Sequence, residues 1–293
     1  MMRIDRKPKC AAIVGGQIGL DIIPDMTQID RELFARLFKP GRVVQVGKSF
    51  LCTGGAVSNT GLALYQFGID TALVCMIGDD IYGEIVLSFL RERSSSLTKN
   101  VIIAPGKTTA YSIIINPDGV DRIFLYNPGA NDDLSADDIR EDAGNKPGLF
   151  HFGYPPMMLK MVENNGLELR KLFRKMKKAG LTTSLDLCFP DPFQKTGRMD
   201  WKTILKHTLP LVDFFEPSIE ELLFMWNNDL FAKLSAQGDI LDQVDDAMLM
   251  DLSAELLALG TAAVMIKLGH HGLFLRTSDE SRLREAGFAR PSD

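Results

Sequence analysis

Closely spaced metal-binding and disulfide-forming residues are missing from this chain. Its four cysteines, Cys10, Cys52, Cys75 and Cys188, stand far apart, and its four histidines include only one adjacent pair, His270 and His271. That spacing argues against a structural zinc module and a disulfide framework, and it predicts reduced, buried thiols in a cytoplasmic protein. A basic surplus is missing as well. Lysine and arginine together number 33 against 38 acids, a net charge of −5, so nucleic acid is not an expected partner. The densest basic run, Arg170 to Lys178, carries apolar residues at helical spacing and reads as the solvated face of a helix. No apolar run approaches the roughly 20 residues of a membrane-spanning helix, and the opening residues are expected to lead into a strand rather than a secretory segment.

What is present is a strand–helix rhythm. The 293 residues, 45% of them hydrophobic, are enough for one large core with a smaller attached unit. Apolar strands are predicted at Cys10–Gly16, Arg42–Cys52, Thr71–Ile77, Gly148–Gly153, Thr182–Cys188, Leu211–Phe215 and Ala262–Leu268, with a further strand closing at Arg276. Helices are predicted after Gly55, from Glu84 to Leu90, from about Gly166 to Lys178, after Ser218 and from Leu252 to Leu259. Such alternation predicts a parallel α/β sheet with helical crossovers. Two strands around Asn116-Pro-Asp-Gly119 break the rhythm and read as a hairpin. Together with the strands before Gly54 they are expected to form a small sheet, a lid over a crevice. From Thr277 onward the chain is polar and is expected to lack order.

The stretch from Thr53 to Phe67 organises the rest. Gly54 and Gly55 either make a simple turn or let a ligand lie on the backbone, and Ser58 and Asn59 follow where a helix begins. Asp21 lies just beyond the first strand, where ligands meet the carboxyl edge of α/β sheets. Ser218 and Glu221 have the spacing of a capping box. His270 and His271 sit in a turn without an acid or cysteine at ligand spacing and read as loop residues. The glycines after the first strand lack the spacing of a dinucleotide-binding dehydrogenase.

These landmarks in this order resemble the ribokinase-like (pfkB) family of carbohydrate and nucleoside kinases over nearly the whole chain. Gly16-Gln-Ile-Gly-Leu-Asp21, Gly54-Gly-Ala-Val-Ser-Asn59, Gly78-Asp-Asp-Ile-Tyr-Gly83, Glu216-Pro-Ser-Ile-Glu-Glu221 and Lys267-Leu-Gly-His-His-Gly272 carry the likeness. It implies a three-layer α/β/α core with a mainly parallel central sheet and a β-sheet lid, its strands at about 22–53 and 105–127, in one kinase domain over 1–293. The implied reaction is ATP-dependent phosphoryl transfer to a hydroxyl of a sugar, polyol or nucleoside. Asp21, Gly54, Gly55 and Asn59 would then bind the acceptor. Asp186, Ser218, Glu221, Lys267, Gly269 and Gly272 would face the nucleotide, with Glu221 and Asp186 holding Mg2+ through water. A monovalent cation such as K+ is a further candidate, and the lid sheet is a candidate homodimer contact. Lys267 reads equally as a phosphate contact or a solvent-facing strand end.

Four departures stand out. Cys188, Glu216 and Ser218 replace asparagines that are usual in the family. The family's Gly-Ala-Gly-Asp segment, which supplies the general-base aspartate, is not found in the chain. The base is therefore expected beyond residue 293, in a longer parent enzyme, and the chain as given is expected not to catalyse. The alternatives are a non-catalytic sugar- or nucleoside-binding or regulatory protein, or an adenosine or other nucleoside kinase.

Overall fold

The structure, a computed structural model, describes residues 11–290; Cys10 lies outside the described residues. In chain order the strands are β1 (Ala11–Gly16), β2 (Gly19–Pro24), β3 (Ser49–Gly54), β4 (Thr71–Gly78), β5 (Val101–Ala104), β6 (Tyr111–Ile115), β7 (Ile123–Asn127), β8 (Pro147–Gly153), β9 (Thr182–Asp186), β10 (Phe214–Phe215), β11 (Ala263–Lys267) and β12 (Leu273–Thr277). Eight of them form one sheet in the order β12-β11-β10-β9-β8-β1-β4-β5. All its pairings are parallel except the last, where β12 returns antiparallel to β11.

Period-two alternation explains the layers. Ile13, Ala72, Val74 and Met76 join the apolar cluster on one face of the sheet. Their neighbours Val14, Leu73, Cys75 and Ile77 join the cluster on the other. Both faces are thus covered, the usual condition for a parallel sheet. On the first face Phe150 and Phe152 meet Phe173 edge to face, with ring centroids 5.6 and 6.3 Å apart.

The remaining four strands form the small sheet β3-β2-β6-β7. It grows straight out of the core, since only Gln17 and Ile18 separate β1 from β2. Asp80 fastens its root. The carboxylate caps the helix Ile81–Arg93 at Gly83 N–H (2.9 Å) and accepts from Thr109 N–H (2.9 Å) and Thr109 Oγ1 (2.6 Å).

Several expectations change. The strand expected from Arg42 forms only at Ser49–Gly54, because the preceding residues have no strand partner and Val43 is 96% exposed. The one expected from Leu211 shrinks to Phe214–Phe215, and Val101–Ala104 forms a strand not anticipated. Helical residues begin before the expected Gly166, at Leu159, but Glu163 is extended and Asn164, Asn165 and Gly166 are left-handed, so the unbroken helix runs from there to Lys178 as expected. The helix expected from Leu252 likewise begins earlier, as Asp246–Ala258.

The largest correction concerns the tail, which is ordered over its described residues, as far as Arg290. Residues Glu280–Arg284 form a short helix, Ala286 is buried, and Phe288 lies against Gly180, to whose carbonyl it donates (3.1 Å). The reason is electrostatic. Asp213 is fully buried, and its carboxylate receives Lys177 Nζ (2.9 Å), Thr183 N–H (2.8 Å) and Arg282 Nη2 (2.7 Å). Arg282 Nε also donates to Gly260 O at 2.6 Å. A tail poor in apolar residues is thus held by one arginine that a buried charge requires. Arg282→Ala is expected to cost about 1–3 kcal/mol in chemical denaturation and to open residues 280–290 to proteolysis first.

Candidate functional site

The register of the large sheet aligns the carboxyl ends of its strands. Gly16 of β1 pairs with Gly153 of β8, and Gly153 pairs with Asp186 of β9. Glu216 follows β10 and donates its N–H to Leu185 O (3.0 Å), while Lys267 ends β11 beside Ser218. Topology alone thus gathers residues from distant segments along one edge, where crevices open in such sheets.

At one end of this row lies a glycine-floored niche. The carboxylate of Asp21 rests on Gly54, where an added Cβ would stand 2.1 Å from Oδ2. Gly55 has φ +91°, and a Cβ there would meet Gln17 Oε1 at 1.8 Å. Both glycines are therefore required by close approach, and Gly55 by its backbone as well. Asp21 lies within strand β2 rather than on a loop, paired with Cys52 and Ser112. Burial raises its carboxyl above the ordinary value, partly offset by the Ser112 hydroxyl. Gln17 is buried, and its Oε1 has no protein partner, while its Nε2 lies 3.5 Å from Tyr126 Oη of the small sheet. Asn59 stands exposed one turn into the helix Ala56–Gln66, its side chain near that of Tyr154.

Tyr154 joins the niche to the second group of residues. It occupies the left-handed region (φ +65°), uncommon for a residue with a side chain, and donates its N–H to Asp186 O (3.2 Å). Asp186 Oδ1 takes Lys267 Nζ at 2.6 Å, and Glu221 Oε2 lies 4.0 Å from the same ammonium. Glu221 is held by the capping box with Ser218, whose N–H donates to Oε2 at 2.7 Å. Glu216 is fixed from behind, since Ser184 Oγ donates to its Oε1 (2.8 Å) and is itself 2.8 Å from His151 Nδ1. Burial, with help from Lys267, lowers buried His151 to about 4, so the ring is neutral at pH 7.

Three carboxyls therefore crowd one ammonium. Burial raises Asp186, Glu216 and Glu221 alike, and the attraction of Lys267 offsets this only in part. Lys267 moves up too: burial opposes its charge, but Asp186 and Glu221 outweigh that. Surplus negative charge on hard oxygens is a donor set suited to a hydrated Mg2+. A cleft of about 500 Å³ adjoins the group, lined in part by Ser218, Glu221, Asp239 and Ile240. Gly269 and Gly272 form the turn that follows Lys267, both with positive φ.

The structure thus brings Asp21, Gly54 and Gly55 together, and separately Asp186, Ser218, Glu221 and Lys267, with Asn59 near Tyr154. Lys267 is ion-paired rather than free toward solvent. Sequence reasoning missed Gln17, Tyr126 and Tyr154; the only signal for Gln17 and Tyr154 was their place just beyond strand ends. Two expectations are corrected. Cys75 and Cys188 are buried, but Cys52 is exposed on the small sheet. The histidine pair is not without an acid, because Asp242 folds in beside it.

Comparison with known proteins gives the arrangement its context. A family model described as "pfkB family carbohydrate kinase" matches residues 22–290. An uncharacterized sugar kinase from Archaeoglobus fulgidus is 26% identical over 218 residues, 74% of each chain. A probable fructokinase-4 from Arabidopsis thaliana is 26% identical over 178 residues, 60% of this chain and 53% of the relative. The solved structure of Arabidopsis thaliana ribokinase, complexed with ribose and ATP, superposes with a TM-score of 0.65 at 16% identity, over 92% of this chain and 75% of that one. At that identity the superposition speaks for the fold alone.

The crowded carboxyls carry a pH prediction. A carboxyl raised in the folded state binds more protons there than in the unfolded chain, so stability falls as pH rises above about 4 and through the raised native values. Glu216→Gln keeps the Ser184 contact and removes one of the three charges. Its melting temperature at pH 7 is expected to exceed that of the wild type, with the gap closing toward pH 4. Thermal denaturation across that pH range checks it.

Proposed function

The chain belongs to the pfkB family of carbohydrate kinases, and from that membership we propose that it serves ATP-dependent phosphoryl transfer to a hydroxyl of a ribose- or fructose-like sugar. The observation that carries the reading is the shared sheet edge, where a glycine-floored niche with a half-buried carboxylate stands next to a cluster of surplus acids. Asp21 accepts a hydrogen bond from an acceptor hydroxyl, and Gly54 and Gly55 let the sugar approach the backbone. Asn59, near Tyr154, orients a second hydroxyl. Mg2+–ATP, when bound, supplies the phosphoryl group and the cation that neutralises its oxygens. Asp186 and Glu221 hold that cation through water, Lys267 keeps the acids from repelling the phosphate chain, and the Gly269–Gly272 turn borders the nucleotide. The small sheet shields the acceptor from water, the competing nucleophile. We assign none of the described residues the role of general base.

Cross-strand pairing puts Phe50 and Phe124 on the same face of the small sheet as Asp21, and both are exposed. This supports a second copy of the chain as the lid's partner, which sedimentation velocity of wild type and a Phe50→Ser, Phe124→Ser double variant tests.

ADP formation by the full-length protein with Mg2+–ATP, across a panel of pentoses, hexoses and nucleosides, tests the function. Turnover of a pentose or ketohexose is expected there, whereas residues 1–293 by themselves, among which no general base is assigned, are expected to give none. Asp21→Ala is expected to lower kcat/KM for the acceptor about ten-fold or more while leaving the KM for ATP in place, because one charge-assisted hydrogen bond is worth about 1.5–3 kcal/mol. Glu221→Gln is expected to raise the Mg2+ concentration needed for half-maximal rate. Sugar binding by calorimetry without turnover on any acceptor favours the binding-protein reading instead.

A further inference from the structure

Outside the acid cluster, three side chains converge on the turn between β11 and β12. His270 and His271 sit on that turn, and Asp242 belongs to the short 3-10 turn Leu241–Gln243. Their ligating atoms all lie within 4.8 Å of one another, and the two imidazole centroids are 4.0 Å apart. The backbone beneath them is fixed by contacts that do not involve these side chains. Leu268 N–H donates to Gly272 O (2.8 Å), and His271 N–H to Leu268 O (3.0 Å). On the other arm the Gln243 amide donates to Leu234 O (3.0 Å) and Asp239 O (2.8 Å). Leu241 packs onto Gly269, where an added Cβ would stand 3.0 Å from its Cδ1. The ligands therefore project from two braced turns, and all three are exposed to exchange with solvent.

We propose that Asp242, His270 and His271 bind a borderline divalent transition metal, with Zn2+ as the probe. Two imidazoles and a carboxylate are a donor set for zinc, with water completing a tetrahedral shell. The all-carboxylate group at Asp186, Glu216 and Glu221 instead suits Mg2+. The two sites thus differ in the class of ion they select. Metal at the histidine site ties the turn following Lys267 to the segment that walls the 500 Å³ cleft at Gly238, Asp239 and Ile240. Occupancy therefore fastens one wall of that cleft to the turn that follows Lys267. The inference rests on these three residues and stands whether or not the chain phosphorylates a sugar.

The test is calorimetric titration of EDTA-stripped protein with ZnCl2 in excess MgCl2, which saturates the carboxylate group. One Zn2+ per chain is expected. His270→Ala, His271→Ala and Asp242→Ala should each weaken it about ten-fold or more, while Asp186→Asn leaves it unchanged. Amide exchange at residues 239–243 should slow when Zn2+ is added. Melting temperatures close to wild type establish that these surface variants are folded. Unchanged Zn2+ affinity in either histidine variant, displacement by Mg2+, or loss of binding in Asp186→Asn would each overturn the proposal.

Discussion

One ammonium set against three carboxyls is the constraint on which the edge of this protein turns. Lys267 pairs with Asp186 and lies near Glu221, and Glu216 shares the same buried surroundings. Removing ions from water is costly unless each is matched, and here the match is incomplete by design of the fold. A parallel sheet leaves no freedom in the matter. Its strands all end on one edge, so groups at β9, β10 and β11 are brought side by side regardless of their separation in sequence. On the proposed assignment, this surplus of negative charge is what a cation carried by a phosphate-bearing ligand would neutralise.

The same physics recurs on the structural side of the molecule. Asp213 is buried like Asp186 but is balanced, by Lys177, Arg282 and the Thr183 amide. A balanced buried carboxylate organises chain segments, here a long helix, the seam between β9 and β10, and the tail. On the proposed assignment, the acids around Lys267, which one ammonium balances only in part, are the ones that meet a ligand. The contrast separates residues that hold the fold from residues that use it.

Features set by local backbone demand were legible in the sequence. Gly54 and Gly55 announced a close approach, Ser218 and Glu221 a capping box, and the apolar runs a mostly parallel sheet. What was not legible depended on contacts between remote segments. Tyr154 reaches Asp186 only because β8 and β9 are neighbours, and Asp242 reaches the histidines only because Leu241 packs on Gly269. The tail was misread for a different reason. Composition measures how much apolar surface a segment can bury, and it is blind to a single arginine required by a charge elsewhere. Cys52 was misread because a strand of the small sheet leaves its side chains more exposed than a strand of the core does.

Asp21 stands on β2, two residues from the core strand β1, in a sheet of only four strands. Its carboxylate cannot shift over Gly54 without β2 shifting, and β2 is paired on both sides. On the proposed assignment, acceptor selectivity is then a property of a lever rather than of a pocket wall. Substitutions in β3 before Gly54, or in β7, change the angle at which the carboxylate is offered. Diversification of such a protein toward new sugars would leave its record in the pairing of the small sheet, away from the residues that meet the substrate.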